Sequence, residues 1–144
     1  MSNNYINIAS SSYPSTRMRR NRRTNWSRRL IEENRLSVND LILPIFITDG
    51  DKKTVINSMP GVYRTPISQI IETVQEAKEL GIPAIALFPE TNTALKDEQG
   101  TEALNDKNLI CRATNLIKKN INDIGIITDV ALDPYTSHGH DGLL

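Results

Sequence analysis

Within fourteen residues, from Asp129 to Gly142, the chain places the carboxylates of Asp129, Asp133 and Asp141 and the imidazoles of His138 and His140. The phenol of Tyr135 and the hydroxyls of Thr136 and Ser137 lie among them. These groups arrive as an apolar run over residues 124–130 reaches its carboxyl end, where α/β proteins assemble active sites. A carboxylate at Asp129 suits an acid, a base or an electrostatic partner for a cationic intermediate, and equally a group that accepts hydrogen bonds from loop amides. Asp133 and Asp141, eight positions apart across a Pro- and Gly-containing loop, can converge on one ligand, and oxygen donors of this kind suit a hard cation better than zinc. His138 and His140 can supply imidazole to a metal or a proton, or simply order the loop. Tyr135, Thr136 and Ser137 can donate to a substrate carboxylate or hold the backbone. The spacing gives no evidence of a Ser-His-Asp or Cys-His arrangement.

The elements that position this loop follow from hydrophobic patterning. Residues 41–48, Leu-Ile-Leu-Pro-Ile-Phe-Ile-Thr, form a nearly continuous apolar run of strand length, expected to be covered on both faces, with Pro44 implying a ladder gap or bulge. Met59-Pro-Gly61 marks a turn. Thr65-Pro66 reads as a hydroxyl cap followed by a proline at the first helical position, opening a helix with Ile67, Ile70, Ile71, Val74 and Ala77 on one side and a stop at Gly81. A second strand over 84–88 leads into a long polar loop that carries residues 96–100, Lys-Asp-Glu-Gln-Gly. Leu109, Ile110, Ala113, Leu116 and Ile117 define a second amphipathic helix before the third strand. This β-α-β-α-β rhythm predicts a parallel sheet with helical crossovers. No Gly-x-Gly-x-x-Gly turn follows the first strand, which argues against a dinucleotide-binding sheet. An eight-unit barrel needs about 250 residues, so the chain supplies about three of its βα units. Its open sheet edges predict that the isolated chain is unstable or aggregation-prone.

Charge separates a second region. Eight Arg against three acids give the first forty residues a net charge of +5 and leave the remainder at −5. Residues 1–35 are expected to be a flexible, basic arm, and residues 36–144 the barrel portion. The first sixteen residues lack periodicity, and a short helix over 25–34 carries Trp26, Leu30 and Ile31 on one stripe that cannot stand alone. Seven Arg between Arg17 and Arg29 suit phosphate contacts or an acidic protein surface. The scarcity of stacking aromatics and the acidic remainder favour the protein surface, so nucleic acid is not an expected partner. A lone Cys111 offers no disulfide framework or thiolate cluster, and neither a membrane span nor a secretory signal is evident, so a cytoplasmic setting and no membrane partner are expected.

TDVALDPYTSHGHDG at 128–142, together with NDLILPIFITDG at 39–50, SMPGVYR at 58–64, ALFPE at 86–90 and KDEQGTEA at 96–103, closely resembles the porphobilinogen synthase family, also called 5-aminolevulinate dehydratase. The resemblance runs in order from about Arg19 to the last residue. It implies the N-terminal part of a TIM-barrel hydro-lyase of heme and porphyrin biosynthesis that condenses two 5-aminolevulinate molecules into porphobilinogen. It places Asp129 in the active site, Asp133, Asp141 and His140 in a metal-binding or active-site loop, and Tyr135 and Ser137 at the substrate. Family members hold substrate as Schiff bases on two lysines in the later half of the barrel. Lys96, Lys107, Lys118 and Lys119 do not match those positions, so this chain alone is expected to be inactive. Zinc-dependent members carry cysteines where Ala131, Asp133 and Asp141 stand here, so the resemblance implies Mg²⁺ or a monovalent cation instead. It further implies an N-terminal arm that wraps a neighbouring subunit of a homo-oligomer, commonly an octamer. Two alternatives are another Schiff-base barrel enzyme, such as an aldolase, and a nucleic-acid-binding arm module.

Overall fold

A computed structural model describes residues 13, 14, 16, 17 and 19–142, so most of the sixteen-residue terminus expected to be flexible lies outside the described residues. The chain divides into two units, Met1–Leu36 and Ser37–Leu144. In the first, α1 (Asn25–Leu30) follows Thr24, and the Ser27 hydroxyl bonds both the Thr24 hydroxyl at 2.8 Å and the Thr24 carbonyl at 3.1 Å. The helix is shorter than the expected 25–34. Glu32 and Glu33 would fall in its last turn, where negative charge opposes the helix dipole. Trp26 and Leu30 stay 64% and 78% exposed.

The second unit is a five-stranded sheet with β1 (Ile42–Thr48), β2 (Thr54–Val55), β3 (Tyr63–Pro66), β4 (Ala84–Pro89) and β5 (Gly125–Thr128), in the order β2-β3-β1-β4-β5. All neighbouring pairs are parallel except β2 with β3. A 3-10 turn at Val38–Asp40 leads into β1. Asp40 accepts from the Ser37 amide and hydroxyl, and these bonds hold its carboxyl below the usual carboxylate range.

Pro44 produces no bulge, because β1 pairs with β4 without interruption from Ile42↔Ala84 to Ile47↔Pro89. The Ile47 carbonyl accepts from the Glu90 amide at 2.8 Å, so odd positions of β1 point their backbone groups at β4 and even positions point at β3. Pairing with β3 begins only at Phe46, so the N–H that Pro44 lacks has no partner to miss.

The β2–β3 hairpin was not anticipated. Gly61, at φ +82°, turns the chain, and Thr65 and Pro66 end a strand where a helical cap was expected. The residue before a proline is biased toward extended backbone, and Pro66 itself is extended at ψ 142°. A 3-10 turn, Ile67–Gln69, then passes into α2 (Ile70–Glu79). Its end is a Schellman motif. The Ile82 amide donates to the Ala77 carbonyl at 3.0 Å and the Gly81 amide to Lys78 at 2.9 Å, with Gly81 at φ +80°. α3 (Leu109–Asn120) starts on Asn108, whose buried side chain accepts from the Cys111 amide at 2.9 Å.

The helices cover one face of the sheet. Ile45, Ile47, Ile85 and Leu87 pack against Ile70, Val74 and Ala77 of α2 and Leu109, Ala113 and Ile117 of α3. Each Ile or Leu buried there contributes roughly 1.5–3 kcal/mol. The opposite face carries Ile42, 53% exposed, Ile127, 46% exposed, and the stacked rings of Phe46 and Phe88 at 5.4 Å. The expectation that the strands are covered on both faces therefore holds for one face only among the described residues. Helices outside and an apolar opposite face are the arrangement of part of a TIM barrel, whose strands turn that second face inward.

Candidate active site

The carboxyl ends of β1, β4 and β5 lie side by side, so the segments that leave them share one rim. Asp49 follows β1, Glu90 follows β4 and Asp129 follows β5. Asp49 pairs with Arg112 of α3 at 2.5 Å, and Glu90 with Arg64 of β3 at 2.9 Å. Thr128 sits opposite Leu87, so strand alternation sets Asp129 opposite Phe88, on the sheet face not covered by helices. Asp129 is exposed, and its Oδ1 accepts from the Ala131 amide at 3.2 Å, an Asx turn that bends the chain into the loop.

The loop is closed by its own backbone bonds. Asp141 Oδ1 accepts from the amides of Leu132 at 2.6 Å and Asp133 at 3.0 Å, drawing the two ends together. Within this ring the Tyr135 and Thr136 amides both donate to the Leu132 carbonyl, at 2.8 and 3.1 Å, and the Thr136 hydroxyl donates to the His140 carbonyl at 2.9 Å. The His140 amide donates to His138 Nδ1 at 3.3 Å, leaving Nε2 to donate to the Glu98 carbonyl at 3.1 Å. In that pairing Nδ1 accepts and Nε2 carries the hydrogen it donates. The two imidazoles stack at 5.8 Å between centroids.

A second loop, leaving β4, supports the first. The Ser137 amide donates to the Asp97 carbonyl at 2.9 Å, within a parallel bridge between Asp97 and Thr136. Asp97 Oδ1 accepts from the amides of Gln99 and Thr101, both at 3.0 Å, and its Oδ2 accepts from the Thr101 hydroxyl. The Thr101 bonds, the hydroxyl first, hold the Asp97 carboxyl below its usual range. Gly100 turns at φ +65°, and a Cβ there would meet Thr136 Cγ2 at 3.3 Å.

The structure brings the sequence-derived residues together unevenly. Asp141 meets Asp133 through the Asp133 amide, and His140 meets His138 by stacking. Tyr135 is buried beside a cavity of about 220 Å³ that Asp49, Glu90, Asn108 and Arg112 also line. Burial, with the nearby Cys111 and Glu102 as further causes, pushes its phenol above the usual tyrosine range. Ser137 and Asp133 are exposed. Among the described residues no three His, Cys, Asp or Glu side chains gather as a metal cage, and Asp141 has one oxygen committed to two amides. Asp97, Glu98, Asn108 and Arg112 were not singled out in the sequence. An Asp followed by Gly and Thr at three and four positions was a readable sign of the Asx turn at Asp97.

A sequence model of the family described as Delta-aminolevulinic acid dehydratase matches residues 15–144. The enzyme of that name from Bradyrhizobium diazoefficiens is 52% identical over 129 residues, covering 89% of this chain and 36% of the relative. That from Synechocystis is 43% identical over 136 residues, covering 92% of this chain and 40% of the relative. The chain thus spans little more than a third of the length of these curated relatives. A crystal structure of the Toxoplasma gondii enzyme in complex with the reaction product porphobilinogen superposes with a TM-score of 0.79 at 39% identity, covering 90% of this chain and 37% of that one. With a fold of partial-barrel form, a loop of matching sequence at its rim and a family match over nearly its whole length, the chain belongs to the delta-aminolevulinic acid dehydratase family.

Proposed function

We propose that this chain serves the condensation of two 5-aminolevulinate molecules into porphobilinogen with loss of two waters, a hydro-lyase step of heme biosynthesis. The observation that supports it most directly is Asp129, exposed at the carboxyl end of β5 inside the family's loop sequence, on the sheet face that bears Phe46 and Phe88. There a carboxylate can take or return a proton at the carbon next to a carbonyl, or stabilise an iminium. Asp133 and His140 offer exposed polar groups to substrate, and Ser137 an exposed hydroxyl for its carboxylate. Asp141 and Tyr135 serve the loop itself, the first by closing it and the second by anchoring it in the helix-covered layer. The Mg²⁺ or monovalent cation implied by the resemblance has no cage among the described residues, so no step is routed through it. The basic arm is proposed to pack on another copy of the protein in a homo-oligomer, and a cytoplasmic setting belongs to the same reading. The family match leaves the aldolase and nucleic-acid alternatives without support.

The test is porphobilinogen formation from 5-aminolevulinate by the intact protein. Asp129→Ala should lower kcat by about 10²–10⁴-fold, the usual worth of a positioned acid or base, with thermal unfolding unchanged. Wild-type turnover in that variant removes Asp129 from the site.

A further inference from the structure

We infer that Asp97 is a positioning residue for the reaction, acting through the loop that follows β5: the 97–101 turn it organises is the brace that holds Ser137 and His138 in place. The inference rests on the function proposed above. Three observations carry it. First, the Asp97 side chain gathers three donors of its own turn, the Gln99 and Thr101 amides and the Thr101 hydroxyl, which fixes where the Asp97 and Glu98 carbonyls point. Second, those two carbonyls are the ones that receive the other loop, Asp97 from the Ser137 amide at 2.9 Å and Glu98 from His138 Nε2 at 3.1 Å. Third, the contact is close-packed. Thr136 is 3% exposed, and Gly100 leaves 3.3 Å between its absent Cβ and Thr136 Cγ2, so the turn cannot shift without moving Thr136.

His138 adds direction to the brace. With Nδ1 accepting inside its own loop and Nε2 donating across to Glu98, the ring is a rigid link held at both ends. Rotating the Glu98 carbonyl away frees the ring and, through the His140 amide, the segment that Asp141 closes. The Asp97 side chain touches none of the groups proposed to meet substrate, and its influence passes through the backbone.

The test compares Asp97→Ala, Asp97→Asn and Thr101→Val in the intact protein, by hydrogen exchange and by kinetics on 5-aminolevulinate. Asparagine keeps an acceptor for the two amides and can donate to the Thr101 hydroxyl, so it should retain most of the wild-type rate. Alanine should speed amide exchange over residues 132–140, with β1, β4 and α3 unchanged, and should lower kcat by about 10²-fold with a much smaller change in KM, the scale of a small misplacement of reacting groups. Thr101→Val, which removes one bond and no charge, should fall between them and keeps the comparison open where alanine fails to fold. Unchanged exchange over 132–140 in the alanine variant overturns the brace, as does an equal loss of rate in the asparagine and alanine variants, which would make charge and not the turn the requirement. An inactive parent protein sinks the functional reading, and the exchange data still decide the brace.

Discussion

The helix-covered layer of the sheet and the loop layer at its rim are held by different physics. In the first, Ile45, Ile47, Ile85 and Leu87 meet two helices through dispersion and burial spread over many atoms. In the second, Asp129, Asp141 and Asp97 hold one, two and three backbone or hydroxyl donors respectively, mostly near the surface. A layer held by many small contacts tolerates a change of shape and answers in stability. A layer held by a few directed bonds answers in geometry, and through geometry in rate.

The comparison is broken most forcefully from the core side. Leu87→Ala removes a fully buried side chain between sheet and helices and should cost about 2–5 kcal/mol, measured by chemical denaturation of the intact protein. A loss confined to rate, with stability unchanged, would erase the distinction. Asn108→Ala lies on the border, a side-chain cap beneath the loop layer that starts a core helix, and should cost about 0.5–2 kcal/mol in the same measurement. An effect below the error of the method would show that the cap is redundant. The smallest effect is a pH dependence at Tyr135, which belongs to the rim loop by sequence and to the core by burial. Its phenol is raised above the usual value of 10.0, so the folded state holds the proton more tightly than the unfolded one. That contribution is complete below pH 10 and is lost as pH rises from there through the folded pKa. Tyr135→Phe should flatten the alkaline fall of a pH–stability curve, and a curve identical to wild type would place the phenol in solvent.

The same division explains what was legible in the sequence. The strands over 42–48, 84–89 and 125–128 and the helical stripes of α2 and α3 were readable because periodicity records which face is buried. β2 and β3 were not, since two and four residues of mixed polarity make no pattern, and Thr65-Pro66 fits a strand end as well as a helix start. Within the rim, the strand-end position of Asp129 was legible from the apolar run before it. The turning of Asp141 back onto the loop amides was not, because nothing in residue spacing records where a side chain points. The Asx turn at Asp97 had a readable sign in Gly100 and Thr101, but its link to Ser137, forty positions away, had none.

Pro44 has one more consequence, for the alignment of β3. Sliding that strand by two positions toward the start of β1 would leave every side chain on its proper face, so the segregation of apolar and polar residues offers no protection against it. The displaced arrangement would, however, set Arg64 opposite the proline and strand the carbonyl of Tyr63 before a nitrogen that bears no hydrogen. A single imino acid thus acts as a ratchet stop, blocking slippage in that direction where hydrophobicity would permit it.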